Sequence, residues 1–471
     1  MPADRPNVVW LMTDQHCFRA LGCAGHPDAE TPTLDRLAGE GVRFTDAYCP
    51  SPVCGPCRAS LFTGHYPQNS GVDGNGETFA PAMRGNLLPE LLRDAGYDTA
   101  LAGKLHFTPI NADHGFAHRR LHDAPYDCYR AEEPWCSDYV RWLADEHFGD
   151  MHAPIDRANA DETAFHDGDM RRFLLGSDWR TEAQHSNTWV TDRAVEYLRE
   201  HRREPFFLFA SYFGPHQPML APGRWGELYD PDEVTVPDEL HNSFEDKPIA
   251  RRGDRGGAAG HFSRYGWTED QYREVIAAYL GQVSMIDHGI GRILDALDDL
   301  GVREDTVVAF TADHGDHMGQ FGWFFKGTMY EHSVRIPLVV DDPAGASGVE
   351  CDHVVNNLGL FETVLQRAGV DAPATSSRSL VPVVEEPGTD DWVDQTYSDI
   401  GHTEMAVDGD YKLLRGEGVD GDTAYELYDR TSRPYDADSL WEHPDHTDRQ
   451  RELRSLLDDH ATRVARGEPP A

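Results

Sequence analysis

The apolar residues of this chain follow two patterns, and both predict regular structure. Four short runs are mostly apolar at consecutive positions, as in strands buried on both faces of a sheet: Val8 to Met12, Thr99 to Ala102, Phe206 to Ala210 and Val307 to Phe310. Between them, helical spacing and end signals predict helices at about Thr31 to Gly41, Leu87 to Ala95, Thr188 to Arg199 and Thr268 to Gly301. This alternation, without repeats, predicts an α/β fold: a large, mixed but mostly parallel sheet flanked by helices.

Each of the four apolar runs leads into side chains that can bind a metal ion or an anion. These side chains are Asp14 and Gln15, Lys104 and His106, His216, and Asp313 with His314. Ligands of open α/β sheets bind beyond the carboxyl ends of the strands, so we expect the four ends to converge on one site. Two carboxylates and a neutral oxygen favour a hard divalent cation, Ca²⁺ first, and the histidine leaves Mn²⁺, Mg²⁺ and Zn²⁺ open.

The pattern changes in three places along the chain. Residues 107–185 are rich in His, Asp, Trp and Tyr without clear periodicity, which is typical of an insertion lining a substrate cleft or of solvated surface. Residues 250–266 are typical of a loop. After about residue 384 short strands and a final helix at 448–463 follow. We therefore expect a catalytic domain over 1–384 and a smaller α+β subdomain over 385–471.

The charge balance changes the picture of the surface. The chain of 471 residues has 82 acidic and 42 basic residues, a formal net charge of −40, and only four lysines: Lys104, Lys247, Lys326 and Lys412. Such self-repulsion weakens a compact state in dilute salt but is screened within about 3 Å at 1 M salt. We expect a halophilic protein that binds no nucleic acid, because phosphate backbones need basic surfaces.

No apolar run reaches the length of a signal peptide core or a membrane span. Eight cysteines in 471 residues do not form a disulfide framework. The expectation is a cytoplasmic protein without membrane association, and the oligomeric state stays open.

The run from Cys54 to Gly64, CGPCRASLFTG, places a thiol, a helix-starting proline and a cation within five positions. Pro56 favours the first helical turn, so Cys54 is expected at a helix N-terminus with Arg58 one turn inside. Backbone N–H groups and a guanidinium then surround the thiol, which describes an anion site containing a nucleophile. Two alternatives stay open: a buried free cysteine, and an iron–sulfur loop on Cys49, Cys54 and Cys57 with Cys128, Cys17 or Cys23 as fourth ligand.

The same run resembles the signature of the formylglycine-dependent sulfatases, Cys-x-Pro-Ser/Cys-Arg with a Thr-Gly tail. The resemblance extends over nearly the whole chain, through the segments PNVVWLMTDQ, GKLHF, SYFGPHQP, TADHGDHMGQ, DYKLLR and ELYD. It implies an alkaline-phosphatase-like fold and a sulfuric ester hydrolase. It also implies that a maturation enzyme converts Cys54 to formylglycine.

The resemblance further implies roles for single residues. The divalent metal is expected on Asp14, Gln15, Cys54, Asp313 and His314, and the sulfate on Arg58, Lys104 and His106. His216 and Lys326 are expected to serve the leaving group, with His106 as the base of the second step. The substrate implied is a sulfate monoester of an alcohol, phenol or sugar. Independently of the resemblance, Trp135, Trp142 and Trp179 of the segment 107–185 could stack on a sugar.

Two positions depart from the commonest sulfatase pattern. Gln15 stands where many members have aspartate, and His314 where many have asparagine. Both choices are similar to choline-sulfatases and phosphonate monoester hydrolases of the same superfamily. A phosphonate monoester or phosphodiester hydrolase using the same site is therefore the alternative function.

Overall fold

In a computed structural model of the chain, the described residues are 5–123, 137–149, 164, 168–176, 180–201, 205–242, 246–253, 265–432 and 435–466. Much of the expected insertion at 107–185 and of the loop at 250–266 lies outside these residues, as do Cys128, Trp135 and Trp179.

The main sheet has eight strands in the order β4-β3-β5-β1-β6-β7-β2-β8. Their bounds are β1 (Asn7–Asp14), β2 (Val42–Tyr48), β3 (Asp98–Gly103), β4 (His118–Leu121), β5 (Phe206–Pro215), β6 (Thr306–Ala312), β7 (Leu338–Asp341) and β8 (Val349–Asn356). All neighbours are parallel except β7, which runs antiparallel to both β6 and β2. The four strands predicted from sequence, β3, β5, β1 and β6, lie side by side, so their carboxyl ends share one edge.

The described helices flank this sheet and the smaller one. They are α1 (Pro32–Glu40), α2 (Cys54–Thr63), α3 (Pro67–Ser70), α4 (Leu88–Asp94), α5 (Asp138–Leu143), α6 (Met170–Leu175), α7 (Ser186–His201), α8 (Pro248–Gly253), α9 (Glu269–Leu300), α10 (Glu331–Val334), α11 (Leu360–Ala368), α12 (Val381–Glu385) and α13 (Thr447–Arg466). The predicted helices are confirmed within a few residues. The longest, α9, starts with a capping box on Thr268 and Gln271 and ends at Gly301 with φ of 66°.

Alternate residues of the central strand enter two different cores. Trp10 faces the core that contains α2, where its ring stacks on Phe62 at 5.7 Å between centroids. Leu11 faces the other core, against Ile286 and Ile290 of α9. Burial on both faces explains why the strands are apolar throughout, and it places α2 and α9 on opposite sides of the sheet.

A second sheet is antiparallel, with the order β12-β11-β10-β9. Its strands are β9 (Gln395–Ile400), β10 (Thr403–Asp408), β11 (Tyr411–Glu417) and β12 (Thr423–Asp429). With α13 it forms a core that includes Ala406, Leu413 and Leu453 and also reaches Tyr66 and Leu358 of the preceding region. The fold is thus an α/β sheet protein with a small C-terminal α+β unit, as predicted. Among the helices of the described ranges, none is both long and apolar enough to cross a bilayer.

Candidate active site

Four buried groups meet where β1, β6 and α2 come together. One ligand atom each from Asp14, Cys54, Asp313 and His314 lies within 4.8 Å of the others. Cys54 Sγ is 3.2 Å from His314 Nε2 and 3.7 Å from Asp14 Oδ1. The ends of β1 and β6 therefore converge as predicted, and Cys54 of the run CGPCRASLFTG lies between them.

The sequence of α2 explains how Cys54 is held there. Cys54 is the first helical residue after the extended Val53, and every residue of the helix is buried. A side chain on Gly55 would place its Cβ 2.7 Å from Asn75 Oδ1, which instead accepts the Gly55 backbone N–H at 2.8 Å. Cys57 Sγ donates to the Asp313 carbonyl oxygen at 2.7 Å. Of the three cysteines with iron–sulfur spacing, Cys54 alone belongs to this cluster among the residues that the structure describes.

Arg58 lies fully buried one turn into α2, and its guanidinium donates hydrogen bonds to residues of the neighbouring strands. Its Nε donates to Asp313 Oδ2 at 2.7 Å, and its Nη2 lies 3.5 Å from Asp14 Oδ2. Its Nη1 donates to the Lys104 carbonyl oxygen at 3.0 Å and to Ser211 Oγ at 2.9 Å. The planar fork thus joins the carboxyl ends of four adjacent strands, which a lysine could not do.

Lys104 brings a second buried cation to the cluster. Its ammonium donates to Asp14 Oδ2 and lies 4.8 Å from the Phe213 ring centroid. Burial would raise the pKa of Asp14, but Lys104, followed by His216 and Lys326, holds it well below its ordinary value. Burial and Asp14 would raise the pKa of the Cys54 thiol, but Lys104 and Lys326 hold it well below its ordinary value. The site therefore stabilises anions at both positions.

The side chain of Gln15 makes hydrogen bonds to three polar side chains. Its backbone has φ of 62° and its N–H donates to Asp313 Oδ1 at 3.1 Å. Its Oε1 accepts from Lys326 Nζ at 2.5 Å, while its Nε2 donates to Asp316 Oδ2 at 2.5 Å and Gln217 Oε1 at 3.2 Å. The predicted ligand is therefore bonded to the lysine predicted to serve the leaving group.

The two predicted histidines outside the cluster differ in what holds them. His216 Nδ1 lies 2.8 Å from the Gln217 carbonyl oxygen, which can only accept, so Nδ1 carries the proton. Burial, with Lys326 adding to it, lowers the pKa of His216 to about 3, so its ring is neutral and its Nε2 is an acceptor. His106 has φ of 64°, and its backbone N–H donates to Asp123 Oδ1 at 2.9 Å.

Sequence reasoning missed four polar residues that support these groups: Asp123, Ser211, Gln217 and Asp316. Asp316 and Gln217 lie two residues and one residue from predicted site residues, and that proximity was the available signal. Ser211 carried a signal as well, because it directly follows the apolar run Phe206 to Ala210. Asp123 carries no comparable signal.

The donor set fits a divalent cation. His314 Nδ1 lies 3.0 Å from the Gly315 carbonyl oxygen, so the proton sits on Nδ1 and the lone pair of Nε2 faces Asp14, Cys54 and Asp313. Two carboxylates, one imidazole and the group at position 54 give the mixed oxygen and nitrogen environment that Ca²⁺, Mn²⁺ and Mg²⁺ accept. Arg58 and Lys104 already offset the negative charge of the two carboxylates. A bound cation would therefore share Asp14 and Asp313 with these two side chains.

Comparisons with known proteins identify families and relatives that this chain resembles. Residues 6–370 match the family described as Sulfatase, and residues 319–463 match the family described as N-sulphoglucosamine sulphohydrolase, C-terminal. The chain is 31% identical over 401 residues to an arylsulfatase of Clostridium perfringens, covering 81% of this chain and 79% of that protein.

Two solved structures share the fold. One, a protein in complex with its substrate D-glucosamine-2-N,6-O-disulfate, has a TM-score of 0.78 at 22% identity and covers 99% of both chains. The other, a phosphonate monoester hydrolase from Silicibacter pomeroyi, has a TM-score of 0.78 at 21% identity and covers 98% of this chain and 96% of its own.

Proposed function

The chain belongs to the sulfatase family and is a sulfuric ester hydrolase, and from this premise we propose how its site works. The nucleophile is formylglycine made from Cys54 by a maturation enzyme, and the metal is one divalent cation, Ca²⁺ first, with Mn²⁺ or Mg²⁺ as alternatives. Asp14, Gln15, Asp313, His314 and the group at position 54 hold that cation. The observation that carries the proposal is the position of Cys54 Sγ inside a buried cluster of two carboxylates and an imidazole.

Both groups have defined chemistry: when present, the hydrated aldehyde supplies an attacking hydroxyl, and the cation lowers the pKa of that hydroxyl and offsets charge on the sulfuryl oxygens. The chain supplies the rest. Arg58 holds Asp14 and Asp313 in place, through the contacts at 3.5 and 2.7 Å. Lys104 supplies positive charge toward the sulfuryl oxygens from a site that excludes water.

Lys326 and His216 divide the work at the leaving group. The neutral ring of His216 presents an acceptor at Nε2, so it orients a donor and does not protonate an alkoxide. Lys326 presents an ammonium held by Gln15 Oε1 at 2.5 Å, and we propose that it stabilises and protonates the departing alkoxide. His106 is proposed to accept the proton whose loss releases sulfate in the second step.

The substrate proposed is a sulfate monoester of an alcohol, phenol or sugar. The arylsulfatase of Clostridium perfringens and the fold relative bound to a glucosamine disulfate support this class. A phosphonate monoester or phosphodiester hydrolase is the second candidate, because Gln15 and His314 are of that type and a phosphonate monoester hydrolase shares the fold. We further propose a catalytic domain over 1–384 and a subdomain over 385–471, in a halophilic, cytoplasmic protein.

Mass spectrometry of the tryptic peptide 44–58 tests the nucleophile. This peptide contains Cys49, Cys54 and Cys57, so fragmentation must locate the change of a CH₂SH group to CHO at position 54. A protein that hydrolyses sulfate esters at full rate with an intact thiol at Cys54 would refute the assignment. Cys57→Ser is the matched control, since serine can also donate to the Asp313 carbonyl oxygen and is expected to remain active.

Comparing the hydrolysis rates of two esters of the same phenol tests which class of ester the enzyme prefers. An aryl sulfate and the matching aryl phosphonate monoester differ in the charge and geometry of the transferred group but share a leaving group. We expect the larger kcat/KM for the sulfate. A larger value for the phosphonate would favour the second candidate while leaving the assignment of Cys54 unchanged.

A further inference from the structure

We propose that Asp123 is a positioning residue that fixes the turn carrying His106, and that it thereby controls the release of sulfate in the second step. The inference rests on the proposed role of His106 as the base of that step. Asp123 is 2% exposed, and its Oδ1 accepts two consecutive backbone N–H groups, that of Leu105 at 2.8 Å and that of His106 at 2.9 Å. One carboxylate oxygen therefore holds the backbone of the proposed base.

Asp123 reaches this turn because β3 and β4 end together. The last residues in register are Gly103 and Leu121, and the His122 N–H donates to the Gly103 carbonyl oxygen at 2.9 Å. Beyond that bond the two strands no longer pair, and the Asp123 side chain takes the place that a backbone acceptor has within the ladder. The end of the edge strand thus supports the turn that follows its neighbour.

His106 needs such a support because its φ of 64° lies in the left-handed region. That conformation is unfavourable for a residue with a Cβ atom. Two consecutive N–H groups that converge on one oxygen form a concave anion site, and the bound oxygen stabilises the turn that creates it. Without the Asp123 oxygen, relaxation of His106 to a negative φ would change the direction of its Cα–Cβ bond and move the imidazole.

Lys104, two residues earlier, is held by contacts that do not involve Asp123. Its N–H donates to the Ser211 carbonyl oxygen at 2.9 Å, and its own carbonyl oxygen accepts from Arg58 Nη1 at 3.0 Å. Loss of the Asp123 carboxylate should therefore displace His106 and leave Lys104 in place.

The consequence is confined to one step. In the second step His106 takes the proton of the hydroxyl left at position 54, a C=O bond forms, and the C–O bond to sulfate breaks with its electron pair leaving on sulfate. The first step, which releases the alcohol, relies on Lys104 and Lys326 and should be nearly unchanged. A displaced His106 therefore predicts rapid release of one equivalent of alcohol followed by slow turnover.

Quenched-flow measurement of alcohol release from an aryl sulfate, with formylglycine-containing enzyme, tests this prediction. For Asp123→Ala we expect a burst close to one equivalent per active site, followed by a steady rate roughly 100-fold below that of the wild type. Protein carrying sulfate at position 54 should accumulate in acid-quenched samples, as its mass would show. His106→Ala should behave in the same way.

Binding of inorganic sulfate gives a readout that does not depend on turnover. A sulfate contact is also expected of His106, so calorimetric titration of matured, calcium-loaded enzyme should show roughly tenfold weaker binding in Asp123→Ala and in His106→Ala. The double variant should bind sulfate no more weakly than His106→Ala, because Asp123 acts through His106. Additive losses would overturn the inference.

Two further variants separate the acceptor oxygen of Asp123 from its charge. Asp123→Asn keeps an acceptor oxygen at the same place, so it should restore kinetics without a burst at close to the wild-type rate. Asp123→Glu keeps the charge but displaces the oxygen, so it should show the burst. The Glu variant carries the test if Asp123→Ala does not fold.

Asp287→Ala is the matched control for the loss of a buried carboxylate. Asp287 is also 2% exposed, and it also accepts two consecutive backbone N–H groups, that of Thr33 at 3.1 Å and that of Leu34 at 2.7 Å. It lies on α9, outside the turn that carries His106. Its replacement should lower the stability of the protein without producing a burst.

The outcomes separate two failures. A burst in His106→Ala but in neither Asp123→Ala nor Asp123→Glu would overturn the positioning role alone. A burst in Asp123→Asn would also overturn it, since the acceptor oxygen would then not be what matters. The absence of a burst in His106→Ala would overturn the proposed base, and the inference with it.

Discussion

Replacing Lys104 with methionine should tighten binding of the divalent metal while it destroys activity. Lys104 is 1% exposed, and its ammonium donates to Asp14 Oδ2. The other oxygen of the same carboxylate belongs to the four-group cluster. The ammonium and a metal ion therefore compete for one carboxylate, and methionine keeps the volume of the side chain but removes the competitor.

The structure sets the size of the effect. Two unit charges 4 Å apart at an effective dielectric constant of 20 interact by about 4 kcal/mol, and the metal carries two charges. Rearrangement of Asp14 recovers part of this, so we expect calcium affinity to rise at least about tenfold, which corresponds to about 1.4 kcal/mol. In chelator, the variant should lose about 3–5 kcal/mol of unfolding free energy, because one partner of a buried ion pair is gone.

Calorimetric titration with Ca²⁺ and urea unfolding, with and without chelator, measure both quantities. Lys412→Met is the matched control: Lys412 is 0% exposed and donates to Glu331 Oε1 at 2.9 Å and Asp436 Oδ1 at 2.5 Å. It should lose comparable stability in chelator, but calcium affinity at the active site should not change. Equal or weaker calcium binding by Lys104→Met would refute the idea that the cluster holds the metal.

Four further outcomes are expected. Cys54→Ser should release at most one equivalent of alcohol per protein, since a sulfated serine has no geminal hydroxyl through which to expel sulfate; multiple turnover would contradict the assignment. Burial raises the pKa of Asp399 to about 8, so the folded state keeps a proton that the unfolded state loses near pH 4, and stability falls from about pH 4 to pH 8. Asp399→Asn should remove this slope in urea titrations and be the more stable protein at pH 8. With a net charge of −40, the melting temperature should drop as salt falls from molar to tens of millimolar, and a level melting temperature would exclude a halophilic fold. Amine-reactive reagents should spare Lys104, Lys247 and Lys412 in the native protein and modify them in urea, as peptide mapping would show.

The sequence predicted which residues frame the site, because buried parallel strands can be recognised from their apolar runs and the residues that follow them. Buried strands are apolar along their length, and the residues that follow them lie at one edge whatever the order of the strands. Asp14 and Asp313 could therefore be paired across 299 positions, and β1 does lie beside β6. The antiparallel β7 was not predicted, because its four residues, Leu338–Asp341, are too short for any period to be seen.

Side-chain direction was the part that the sequence did not carry. Gln15 follows β1 directly, as predicted, with φ of 62°, and its amide is hydrogen-bonded to Lys326 and also to Asp316, 301 positions later. The prediction placed Gln15 at the right edge of the sheet. Its chemical partner depends on a loop conformation that no pattern around residue 15 encodes.

The four lysines show what the scarcity of this residue means in an acidic protein. Lys104 and Lys326 lie at the site, and the other two are buried against the C-terminal sheet. Lys247 donates to the Ala437 carbonyl oxygen and lies 5.5 Å from the ring centroids of Phe321 and Tyr428. On the described surface, lysine is present only as the partly exposed Lys326. The chain therefore lacks lysine at the surface but keeps it at buried positions.

The position of Lys412 links the second sheet to the metal strand. Lys412, on β11, donates to Glu331, the first residue of α10. The same helix turn holds the end of β6, because the Gly315 N–H donates to the Ser333 carbonyl oxygen at 2.9 Å, directly after His314. A Cβ on Gly315 would lie 2.0 Å from the His332 carbonyl oxygen, so the two backbones pack too closely for any side chain at position 315. The C-terminal sheet therefore contacts, through one buried lysine, the short helix that packs against the end of β6.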